Sequence, residues 1–99
     1  MATPTATIER QVVNQSHQLN GYVAGAQESF RYTLSLTKKG PTGISQLKQS
    51  GRLNNCLKDC KTSEMRINIV PGDHYEATLE VYSDTQLIVT DRLVYPEMP

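Results

Sequence analysis

The stretch Ser29-Phe30-Arg31-Tyr32-Thr33-Leu34-Ser35-Leu36-Thr37 alternates without a break: every even position is large and apolar and every odd one is polar. Successive side chains of an extended strand point to opposite faces, so this pattern describes a strand with one face on a core and one in water. The same period recurs downstream. Met65, Ile67 and Ile69 alternate with Glu64, Arg66 and Asn68, and Tyr75, Ala77, Leu79 and Val81 alternate with Glu76, Thr78 and Glu80. Weaker strands are expected at Thr7 to Asn14, Leu19 to Ala24, Ile44 to Gln49 and Leu87 to Tyr95. Turn chemistry separates them, at Asn20-Gly21, Gly40-Pro41-Thr42-Gly43, Pro71-Gly72-Asp73 and Ser83-Asp84. No stretch offers an apolar face at helical spacing over three turns.

About seven short strands without a helix predict an all-β fold, an immunoglobulin-like antiparallel β-sandwich. The chain has no Trp, so the immunoglobulin Cys-Trp-Cys signature is missing and the likeness is one of architecture. Ninety-nine residues suffice for one core, so residues 1–99 are expected to form a single domain, with residues 1–6 as a flexible tail. Phe30, Tyr32, Leu34, Leu36, Ile67, Ile69, Leu79 and Val81 are the expected inward-facing residues.

Charge excludes some functions and suggests others. The formal net charge is zero, with a pI near 6.7, which lacks the electrostatic footprint of a nucleic-acid binder. Its distribution is uneven. Lys38 to Arg66 holds seven basic residues against two acidic ones, and Ile67 to the end holds six acidic residues against Arg92 alone. The chain is thus a charge dipole along its length, and one in space if the two stretches lie on different faces. No apolar run reaches the roughly 20 residues that span a bilayer. The start, Met1-Ala2-Thr3-Pro4-Thr5, has neither a basic nor an apolar region. A cytoplasmic chain and an exported chain whose signal peptide has been removed both fit that start.

Cys56 and Cys60 stand three residues apart in a polar stretch between two strands. A disulfide closing this small loop requires only that the chain turn there, and such bonds persist in oxidising compartments. Zinc would need two further ligands, and His17 and His74, the only histidines, have no metal-site spacing to the cysteines. A redox-active pair would ordinarily be Cys-x-x-Cys at a helix start. Both histidines read as surface residues. No nucleophile, base and orienting group form a motif, and the phosphate-cradling glycine patterns are missing. The expectation is a binding module with no catalytic residues, no metal and no cofactor.

One segment carries a family likeness. Tyr32-Thr33-Leu34-Ser35-Leu36, then Lys38-Lys39-Gly40-Pro41-Thr42-Gly43-Ile44-Ser45, then Gln49-Ser50-Gly51-Arg52-Leu53 resembles the curli-assembly chaperones of the CsgC/CsgH type, and the CsgH branch most. The resemblance implies a small periplasmic immunoglobulin-like sandwich that keeps a secreted curli subunit from forming amyloid before export. The Cys-x-Cys of the CsgC branch is absent, so no redox role carries over. Curli subunits are built from repeats of the form Ser-x5-Gln-x-Gly-x2-Asn-x-Ala-x3-Gln, and Gln49, Gly51 and Asn54 match the central three positions. Gly43, Cys56 and Cys60 stand where Ser, Ala and Gln would be. The alternative for this match is a strand followed by a turn glycine.

These observations together place the expected partner-binding site at Lys38, Lys39, Lys48, Gln49, Gly51, Arg52 and Asn54. The expected partner is an unfolded curli major subunit or a similar amyloid-forming secreted protein, met by a monomer, without nucleic acid or membrane. Two other readings remain open: a structural or adhesive module of a surface appendage, and a small thiol-disulfide enzyme.

Overall fold

The computed structural model describes residues 3–84 and 86–96. Seven strands follow one another: β1 (Thr5–Val13), β2 (Ser16–Ala24), β3 (Phe30–Gly40), β4 (Gly43–Leu53), β5 (Cys60–Asn68), β6 (His74–Ser83) and β7 (Gln86–Tyr95). There is no helix among the described residues. Two antiparallel sheets, ordered β1-β2-β5 and β4-β3-β6-β7, pack as a sandwich. Met1 and Ala2 of the expected tail lie outside the described residues, while Thr5 and Ala6 pair with Ala24 and Val23 as the first residues of β1.

Alternation in β3 does what its period requires. Leu34 and Leu36 point between the sheets and meet Leu19, Met65, Ile67, Tyr75, Ala77 and Leu79 in one buried cluster. Phe30 joins Val23, Ala26, Cys56 and Val81 in a second. Of the expected core residues, Tyr32 and Ile69 are only half-buried, packed against the rims of these clusters.

Two expectations are corrected. Asn20-Gly21 is not a turn but the middle of β2, where the pairing with β5 shifts register between Gly21 and Tyr22. A Cβ on Gly21 would stand 2.6 Å from the Ser63 hydroxyl oxygen, so the glycine marks a close strand approach at a bulge. The chain reverses instead at Asn14-Gln15, with Asn14 at φ 56°, a conformation asparagine tolerates better than most residues. His17 is not a surface residue. It is buried on the inner side of β2, its Nδ1 3.0 Å from the Tyr75 hydroxyl and its ring edge-on to Tyr75 and Tyr95. Its position beside the turn hid the fact that it has the phase of buried Leu19.

The two flanks of the sandwich differ. On one, the Ile8 N–H of β1 donates to the Asp91 carboxylate of β7 at 2.8 Å and joins the two sheets. On the other, β4 and β5 are both edge strands, and β4 is exposed over most of its length.

Candidate functional site

β4 pairs with β3 over eleven residues, from Gly40↔Gly43 to Phe30↔Leu53. It therefore runs four residues beyond the Gln49 boundary expected from the sequence. Directly opposed residues share a face. Leu34 and Leu36 point inward, so their partners Gln49 and Leu47 are on the inner side, as is Gly51 opposite Tyr32. Lys48 faces outward beside Ser35, and Arg52 beside Arg31, with Lys39 in the same outer row as Ile44.

The seven expected site residues thus divide. Lys39, Lys48 and Arg52 share the outer face of the larger sheet, all three exposed and without an ion pair among the described residues. Lys38 is on the other side. Its ammonium donates to the Asn68 carbonyl at 2.9 Å and lies 3.7 Å from the buried Asp73 carboxylate, so it joins β3 to β5 and the turn after it. Gln49 reaches the Glu64 backbone, and Gly51 lies beneath the Tyr32 ring. Asn54 is exposed just after β4. The three residues that match the curli repeat do not form one surface with the three outward cations.

Sequence reading missed Arg31, because it precedes the basic stretch. It lies directly opposite Arg52, a like-charge pair that would be unfavourable if both side chains extended together. The Arg31 guanidinium is drawn away, over the Tyr82 ring at 5.8 Å and onto the Asp84 carbonyl. Arg31, Arg52 and Lys48 share the outer face of β3 and β4, with Arg31 beside Arg52 and Lys48 four residues back along β4. Two exposed apolar side chains of β4, Ile44 and Leu47, were also left out of the expected site.

Acidic residues do not occupy a separate face. Glu76 and Glu80 of β6 lie on the same outer face, two strands from β4. Strands stand about 4.8 Å apart, so the acidic stripe is about 10 Å from the basic edge, roughly one Debye length at physiological salt. Arg92 pairs with Glu76 at 2.8 Å. At the Lys39 end the face is hollowed into a shallow depression of about 830 Å³, floored by Ser35, Thr37 and Thr78 and bounded by His74, Glu76 and Val94.

Cys56 and Cys60 form a disulfide with Cα atoms 6.0 Å apart. Cys56 belongs to the core, and a two-way backbone bridge with Ala26, at 2.6 and 2.7 Å, fixes the loop after β4. That bond restrains the end of the exposed strand and leaves no free thiol in the chain. The described residues include no group of three or more His, Cys, Asp or Glu placed to hold a metal ion.

No protein-family model and no curated protein matches the sequence. Solved structures do match. E. coli curli protein CsgC superposes with a TM-score of 0.77 at 18% identity, covering 96% of this chain and 100% of that one. R. palustris CsgH superposes with a TM-score of 0.72 at 21% identity, covering 91% and 90%. The chain has a CsgC/CsgH-type fold. The leaning toward CsgH expected from the sequence is not carried by the superpositions, which are better on CsgC. A segment amounting to 13% of Parabacteroides merdae β-glucuronidase also matches, over 95% of this chain, with a TM-score of 0.59 and 16% identity. There the same sandwich is a small part of a much longer chain.

Proposed function

We propose that the chain is a curli-assembly accessory protein, a non-enzymatic periplasmic monomer that delays amyloid formation by a curli subunit through brief, electrostatically guided encounters. The observation that carries this reading is the set of exposed cations, Lys48 and Arg52 with Arg31 beside them, on an edge strand of a sandwich shaped like two curli proteins. Amyloid grows by in-register addition of strands to an unprotected edge. Lysine and arginine along an edge are the ordinary means by which folded proteins discourage such addition. A basic edge attracts an acidic or polar disordered chain over several ångströms yet gives it no dry surface on which to stack. Encounters of this kind are frequent and short, which is enough to remove nuclei without forming a lasting complex. The deciding experiment follows thioflavin fluorescence of a purified curli subunit with and without substoichiometric protein: a lengthened lag supports the reading, and an unchanged lag removes it.

The second reading, a structural or adhesive module, is favoured by one observation, the recurrence of this sandwich as a small part of a long chain. It predicts stable incorporation of the protein into mature fibres, which sedimentation of the fibres would detect.

A further inference from the structure

The Gln49 carboxamide bonds both backbone groups of one residue across the open flank. Its Nε2 donates to the Glu64 carbonyl at 2.7 Å, and the Glu64 N–H donates to its Oε1 at 3.2 Å. Glu64 opposes Asn20 of β2. In an antiparallel ladder a residue directs both backbone groups either to its partner strand or away from it. Those of Glu64 point away, at the free edge of β5, and the Gln49 side chain supplies what a neighbouring strand would. Asn68, of the same phase, has its carbonyl taken by Lys38 at 2.9 Å. Arg66 lies between them, at a crevice of about 220 Å³ bounded by Leu47, Lys48, Gln49, Glu64 and Met65.

We propose that β5 is a self-pairing edge that Gln49 holds shut, and that the strand it fits is β5 of a second copy of this chain. The argument for that occupant is charge and phase. An isologous antiparallel pairing that places Glu64 opposite Arg66 of the second copy also places Arg66 opposite its Glu64, so the two-fold axis generates two opposite-charge pairs at once. Both residues have the outward backbone phase that a ladder needs. Their present side-chain contacts, with Lys61 and Gln18 for Glu64 and with Gln18 for Arg66, are all exposed ones, and such contacts contribute little and exchange readily. Gln49 and Lys38 thereby act as guards that keep the chain monomeric, a role distinct from contact with a client.

Two measurements on the full chain test this. By amide hydrogen exchange, the Glu64 N–H of the wild-type protein is expected to exchange roughly five- to tenfold more slowly than the Arg66 N–H, the factor one net hydrogen bond supplies. Equal rates would overturn the proposal. By sedimentation velocity, Gln49→Ala is expected to dimerise at concentrations where wild type is a monomer. Adding Arg66→Glu, which sets Glu against Glu, should return it to a monomer, and the further exchange Glu64→Arg should restore the dimer. A monomeric Gln49→Ala, or a dimer indifferent to Arg66→Glu, would also overturn it. Neither readout uses a curli subunit, so the result is independent of the proposed inhibition.

Discussion

Tyr32 lies across Gly51 so closely that a Cβ on the glycine would stand 2.3 Å from the tyrosine hydroxyl oxygen and 2.6 Å from the ring carbon bearing it. The two are direct cross-strand partners, so the ring covers backbone that no side chain of β4 protects. Gly51→Ala is therefore expected to destabilise the fold by about 1–3 kcal/mol, the usual range for overpacking. Urea denaturation of a double-mutant cycle checks the cause: in a Tyr32→Ala background the cost of Gly51→Ala should largely vanish. An undiminished cost would assign it to the strand backbone instead.

The disulfide closes a loop of sequence separation 4, among the shortest possible. In the chain-entropy account so small a loop contributes about 2 kcal/mol, so the reduced protein should remain folded with a lowered denaturation midpoint. Cys56 is 2% exposed and Cys60 is only half-buried. Brief alkylation of the reduced, folded protein should then label Cys60 well before Cys56, as read by peptide mapping. Equal labelling would mean that the loop detaches from the core on reduction.

Lys48→Glu together with Arg52→Glu should leave stability within about 0.5 kcal/mol, as is usual for exposed sites. The same double variant should shorten the curli-subunit lag toward that of the subunit alone, and raised salt should do likewise to the wild type. Lys38→Glu provides the contrast, because it opposes Asp73 at the joint between the sheets and should cost stability instead of steering. If the double variant delays fibrils as well as wild type at every salt concentration, these cations are only a solvated face.

His17 gives the fold a pH dependence of definite sign. Burial, then the nearby Arg10 charge, holds it below its ordinary value of 6.5. Above that value both the folded and the unfolded chain carry a neutral imidazole, and this residue contributes no pH dependence. As pH falls below 6.5 the unfolded chain takes up its proton first, so stability declines until the folded value is reached. Denaturation midpoints from pH 8 to pH 5 should show the decline in wild type and a flatter profile in His17→Gln. Identical slopes would place the effect in another group.

β3, β5 and β6 were legible in the sequence because each buries one face, and a period of two survives any amount of turn variation. β4 was read short for the complementary reason. It buries neither face fully, so past Gln49 its residues carry no alternation to read, and only the pairing with β3 extends it to Leu53. Asn20-Gly21 misled because the dipeptide serves tight turns and close strand approaches alike; only the neighbouring Ser63 shows which. The basic stretch was visible as composition, but its division was not. Whether a lysine on β3 faces solvent or the other sheet depends on one step of phase, and that step separates Lys39 from Lys38.

The hydrogen bond from Ile8 to Asp91 spans 83 positions of sequence and joins the first strand to the last. Pairings between strands so distant in sequence form slowly as a class, since loop entropy must be lost before any contact rewards it. Until β7 arrives, β6 lacks its neighbour and presents an unpaired row of N–H and C=O groups beside Ala77, Leu79 and Val81. A state in which β7 has not yet docked would therefore carry the kind of exposed strand edge on which fibres grow. The rate at which that last strand docks would set how long the open edge lasts.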